Sequence, residues 1–178
     1  RSGLFGRDDN QEGGVAVSVV LQQIHTVLGH RSMLYTPALE LSYGTPPIQC
    51  ETDLVVLHPE RDGRVGLVIG ECKTRGTIKE TDVANLAKVA NVFPKERFDV
   101  FLLFAKLAPF SEVEIEVCRK AQDDTRPRVI LLSDRELEPY WVYELAEKEF
   151  VIPDPHVSSL TDMAIATTQI YFNPVRKQ

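Results

Sequence analysis

Cysteine is scarce and poorly spaced for a metal site. Cys50, Cys72 and Cys118 are the three in the chain, and no two stand at the spacing of zinc ligands. An odd number of thiols without a secretory pattern points to reduced cysteines and a cytoplasmic protein. Long apolar runs are missing too. No stretch reaches the roughly 20 residues that a membrane-spanning helix needs. The opening RSGLFGRDDNQEGG is polar and holds no signal-peptide pattern. It does not begin with Met, and the expectation is a piece of a longer protein. No internal repeat or low-complexity segment is present. Positive charge is also short: Lys and Arg number 20 against 26 Asp and Glu, a net charge of −6. A dedicated nucleic-acid binder usually carries a basic face, so this balance argues mildly against one. A metal-dependent site, however, needs carboxylates. The local run Lys73, Arg75, Lys79 suits phosphate contacts, with a plain solvated face as its alternative.

What is present fits one domain. A chain of 178 residues, 43% hydrophobic and 26% charged, is long enough to bury a full core. Residues 1–14 read as a flexible lead that ends at Gly13-Gly14, and residues 15–178 as a single domain. Val17, Val20, Leu21, Ile24, Val27 and Leu28 follow helical spacing from Val15 to Leu28, with Gly29 as a stop. Met33 to Tyr43 reads as a strand interrupted by Pro37, which suits an edge or a bulge. Gly44-Thr45-Pro46-Pro47 is a turn.

The stretch from Gln49 to Arg75 organises the rest. Leu54–Leu57 and Val65–Ile69 are two β-rich runs, and His58–Arg64 between them holds Pro59 and Asp62-Gly63. A hairpin centred on Asp62 pairs positions that sum to about 124, which sets Asp53 opposite Glu71. Glu71 and Lys73 share a face by alternation. Asp53 joins them in an even register, and a one-residue slip turns it away. Two carboxylates and an ammonium at the end of an apolar hairpin are costly unless a cation or a substrate uses them. A surface salt bridge is the plainer alternative.

Asp53 followed by Glu71-Cys72-Lys73 resembles the active-site signature of the PD-(D/E)XK, or restriction-endonuclease-like, nucleases. The residue before Asp53 is Thr52, where that signature has proline. The resemblance implies that Asp53 and Glu71 bind Mg²⁺ or Mn²⁺ with help from the Cys72 carbonyl, and that Lys73 positions or activates the attacking water. Relatives often carry a metal-supporting Glu on the first helix, which this helix lacks. Gln22, Glu40 and Glu51 are the candidates for support, and Arg75 and Lys79 for phosphate contact.

Beyond the hairpin, Thr77 with Glu80 is spaced like a capping box and opens a helix to about Val92. Asp99–Lys106 is an apolar run of the kind covered on both faces of a sheet. Ser111 with Glu114 opens a helix to about Gln122, Arg128–Leu132 is a short buried strand, and Ser133 with Glu136 repeats the capping spacing. Tyr140, Trp141 and Tyr143 are core aromatics or a base-stacking surface. Ser158–Tyr171 reads as the last helix. The order is α-β-β-β-α-β-α-β-α-α, and its first six elements, about 15–106, match the α-β-β-β-α-β core of the resembled fold. Residues 107–178 are its elaboration. The expected architecture is therefore α/β, a mixed central sheet flanked by helices. The implied activity is metal-dependent hydrolysis of phosphodiesters, in DNA first, with a homodimer as a candidate assembly. Two alternatives stay open: a non-catalytic module on the same fold that binds nucleic acid or protein, and an effector domain of a longer prokaryotic defence or repair protein.

Overall fold

Alternating apolar residues in the hairpin set the register from which the sheet is built. A computed structural model describes residues 11–29, 31–44, 48–60, 62–74, 76–122 and 128–177. Most of the expected lead and the turn residues 45–47 lie outside this set. Helix α1 spans Gln11–Val27, and strands β1, β2 and β3 span Leu34–Tyr43, Ile48–Pro59 and Val65–Lys73. Helix α2 (Glu80–Ala90), β4 (Phe98–Lys106), α3 (Glu112–Arg119) and β5 (Val129–Leu132) follow. The chain ends with a one-turn α4 (Asp134–Leu137), a 3-10 turn at Ala146–Lys148, α5 (Leu160–Thr167) and a π turn at Thr168–Phe172. The sheet has five strands in the order β1-β2-β3-β4-β5. β1, β2 and β3 are antiparallel neighbours, and β4 and β5 add in parallel. No helix among the described residues is long and apolar enough to cross a membrane.

Each sheet face has its own core. On one, Val20 and Ile24 of α1 and Leu160 and Met163 of α5 pack on Leu54, Val56, Val68 and Phe101. On the other, Val83 and Leu86 of α2 and Cys118 of α3 pack on Leu67, Ile69, Leu102 and Phe104. β4 and β5 are therefore buried on both faces, which is why their sequences run apolar without alternation.

Several expected boundaries move. α1 starts at Gln11, not Val15, so residues 11–14 of the expected lead belong to the first helix, and that helix does contain an acidic residue, Glu12. α2 starts at Glu80, not Thr77: the Asp82 carboxylate accepts from the Lys79 backbone N–H at 3.0 Å and closes the helix start there. The final helix is α-helical only to Thr167, and the π turn takes over from Thr168. The aromatic triplet also divides. Tyr143 is fully buried and donates to the Met163 carbonyl at 3.1 Å, whereas Tyr140 and Trp141 are exposed and meet edge-to-face.

Candidate active site

The pairing between β2 and β3 sums to 124, from Pro59↔Val65 to Leu54↔Gly70. It stops one pair short of Asp53 and Glu71, and side chains join the strands from there. The Thr52 hydroxyl, buried, lies 2.7 Å from the Gly70 carbonyl and 3.1 Å from that of Leu54, and shares its one hydrogen between them. Asp53 Oδ2 accepts from the Cys72 N–H at 2.8 Å. The opposite neighbour is distorted at the same level. β1 pairs with β2 at Pro37↔Leu54 and Leu39↔Thr52, and between them Ala38 takes a φ of 51°. That left-handed backbone is strained for any residue with a Cβ. Alternation along β2 slips here as well: Leu54 belongs to the α1-side core and Cys50 to the α2-side core. The Asp53 level is thus a break in two ladders, and Asp53 is the carboxylate placed in it.

Glu71 and Lys73 extend the alternation of Leu67 and Ile69 and so stand on the α2 face, at the carboxyl end of β3. Lys73 Nζ donates to Glu71 Oε1. The Glu71 side chain is only 12% exposed. Burial pushes its carboxyl above the usual range. The Lys73 hydrogen bond opposes this, while the charges of Asp53 and Asp82 add to it. Lys73 moves up as well: burial works against its ammonium, but the bond to Glu71 and the nearby carboxylates outweigh burial. Burial, with Asp53 and Glu71, drives the Cys72 thiol far above its normal value, so it stays a protonated, inert thiol.

The site is held from the next strand. Lys106 is the β4 register partner of Lys73. Its ammonium is buried and bonds both oxygens of Glu114, at 2.9 and 3.1 Å. Glu114 also accepts from the Ile78 N–H at 3.0 Å and from the N–H and hydroxyl of Ser111 at 2.9 and 2.8 Å. One carboxylate therefore ties together the end of β4, the start of α3 and the connection from Lys73 to α2.

The structure brings Asp53, Glu71 and Lys73 together. Other candidates are placed apart from them. Gln22 is exposed on α1, which covers the face opposite Glu71; its neighbour Gln23 is buried instead and donates to the Pro139 carbonyl at 2.6 Å. Glu40 and Glu51 are register partners, both exposed on the β1–β2 ribbon. Lys79 is exposed at the start of α2, and Arg75 lies outside the described residues. Thr52, Lys106 and Glu114 were not singled out for the site from sequence. Only the Ser111–Glu114 spacing signalled one of them, and it signalled a cap.

The donor set suits a hard divalent ion. Asp53 and Glu71 are crowded like charges, and each has one oxygen not used in the bonds above. Mg²⁺ needs one or two carboxylates and keeps the rest of its shell as water. Among the described residues, no group of three or more His, Cys, Asp or Glu side chains gathers as a metal site.

No family model and no curated protein matches the chain. Among solved structures, the MspJI restriction endonuclease in complex with a 27-mer oligonucleotide is similar at 11% identity and a TM-score of 0.35. The match covers all of this chain and 41% of that one.

Proposed function

We propose that the chain is a metal-dependent phosphodiester hydrolase of restriction-endonuclease type, with DNA as the first substrate to test. The observation that carries this reading is the Asp53–Cys72 hydrogen bond at 2.8 Å, which sets Asp53 beside Glu71 and Lys73 at the end of β3. Asp53 and Glu71 would hold Mg²⁺ or Mn²⁺, together with the Cys72 carbonyl. Such an ion supplies Lewis-acid stabilisation of phosphate charge and a more acidic bound water. The chain's own part is orientation and charge. The Cys72 N–H fixes the Asp53 carboxylate. Glu71 anchors the Lys73 ammonium, and without metal its hold favours the protonated form, a cation facing phosphate or water. Lys79 and Arg75 follow Lys73 in the sequence as the cations proposed for phosphate contact.

The Glu71–Lys73 pair also favours a second reading. An ammonium and a carboxylate that satisfy each other describe a site at rest, as in a module that binds nucleic acid or protein without cutting it.

A cleavage assay separates the two. Plasmid, linear duplex, single-stranded DNA and RNA are incubated with Mg²⁺, Mn²⁺ or EDTA. Cutting that needs metal and falls at least about 10²-fold in Asp53→Ala and Lys73→Ala is expected. Full cutting by Lys73→Ala, or none by the wild type on any substrate, would overturn the nuclease reading.

A further inference from the structure

A second feature lies on the same edge of the sheet. The carboxyl ends of β4 and β5 open into a cavity of about 270 Å³ lined by Pro109, Phe110, Ser133, Asp134, Arg135 and Tyr171. Ligands of parallel sheets bind beyond the carboxyl ends of the strands, and β3 ends there at Lys73. β3 and β5 are two strands apart, about 10 Å at the usual spacing. Lys106 bridges the interval, with its ammonium 5.8 Å from the Phe110 ring centre.

The walls are aromatic and preset. Phe110 and Tyr171 meet edge-to-face, their centres 5.7 Å apart. The Arg135 guanidinium lies 5.3 Å from the Tyr171 ring centre and 5.1 Å from that of Phe150. Glu136, wholly buried, fixes these groups. It accepts from Arg135 Nε and the Ser133 hydroxyl, each at 2.7 Å, from the Ser133 N–H at 2.9 Å and from the Tyr171 hydroxyl at 2.7 Å. The charges decide the class of ligand. Arg135 is already neutralised by Glu136, and Asp134 adds an exposed carboxylate at the cavity. A phosphate gains nothing there. A neutral planar ring gains apolar contact with the Phe110 and Tyr171 side chains that line the cavity. It also meets an acceptor in Asp134 and a donor in Arg135 side by side. The volume lies just below the usual range for drug-sized ligands, which suits a single ring system.

We propose that this cavity takes one unpaired nucleobase of the strand whose backbone lies at Asp53, Glu71 and Lys73. The proposal rests on the nucleic-acid reading above. At 3.4 Å per stacked nucleotide, a base about three positions from the scissile phosphate reaches it.

The test titrates adenosine, guanosine, cytidine and thymidine, one at a time, into the full chain in EDTA, following the aromatic ring signals by NMR. At least one nucleoside is expected to give saturable shifts. Phe110→Ala should weaken that binding about tenfold or more, Asp134→Asn should change the order of preference, and Lys73→Ala should leave it unchanged. Thermal melts confirm that each variant is folded, and Asp134→Asn carries the test if Phe110→Ala is not. Absence of saturable shifts with all four nucleosides, shifts that survive both cavity variants, or equal shifts with inorganic phosphate would overturn the proposal. Nucleoside binding without any cleavage sinks only the nuclease reading, and metal-dependent cleavage without nucleoside binding sinks only the cavity.

Discussion

Thr52 stands where the resembled signature carries proline, and its side chain shows what the exchange supplies. Its hydroxyl serves the carbonyl of Gly70, in the last β2–β3 pair. Thr52→Val keeps the shape and removes that bond. A loss of about 0.5–1.5 kcal/mol is expected, read as a fall in Tm of about 2–4 °C for each kcal/mol. Glu71 has the opposite balance. Its carboxyl sits above the usual range chiefly because it is buried. The folded form therefore binds the proton more tightly than the unfolded one. That contribution is full below the ordinary glutamate value and is lost as pH rises through the folded value. Once ionised, the buried carboxylate costs stability that Lys73 offsets only in part and that a bound metal would offset further. Glu71→Gln is expected to match or exceed the wild-type Tm by about 2–4 °C without metal, and to lose the rise in Tm that Mg²⁺ gives the wild type. A large fall in Tm for Glu71→Gln would show that its bond to Lys73 is structural.

At the level of elements, Glu114 is the main junction. It sits at the third position of α3 and gathers Lys106, Ile78 and Ser111. Burial alone would raise its carboxyl, but the Ser111, Ile78 and Lys106 bonds prevail and hold it below the usual range. The sign is therefore that of a stabilising acid: the contribution is present above the ordinary glutamate value and lost as pH falls through the folded one. Glu114→Ala should cost about 3–5 kcal/mol, because it strands the buried Lys106. Urea unfolding across pH 3–7 should show a loss of stability toward acid that Glu114→Gln lacks. Replacing Lys106 and Glu114 together by apolar residues would not restore stability, since the Ile78 and Ser111 N–H groups would still want an acceptor. The Ser111–Glu114 spacing was readable as a cap. The capture of Lys106 was not, because it depends on how α3 seats against the end of β4. The same spacing at Thr77–Glu80 misled for a related reason: the Ile78 N–H is drawn to Glu114, and Asp82 closes the helix instead.

Across the whole molecule, element order and hairpin register were legible because few physical choices set them. Asp62-Gly63 fixes the turn, and alternation then dictates which residues pair, down to the sum of 124. The apolar runs of β4 and β5 announced strands covered on both sides. What the sequence did not reveal was which face each helix would cover. Gln22 was a candidate only while the side of α1 was unknown. It also gave no sign that Phe110, Arg135 and Tyr171, far apart in the chain, meet at one cavity. The edge strand carries a last consequence. A free β-edge is a template on which other chains can polymerise. One edge here is β1, and its sequence places Pro37, which has no N–H to offer, directly before the left-handed Ala38. The ribbon that an incoming strand would need is interrupted midway. The same two residues that disturb the ladder beside Asp53 therefore guard this edge against runaway growth into fibrils.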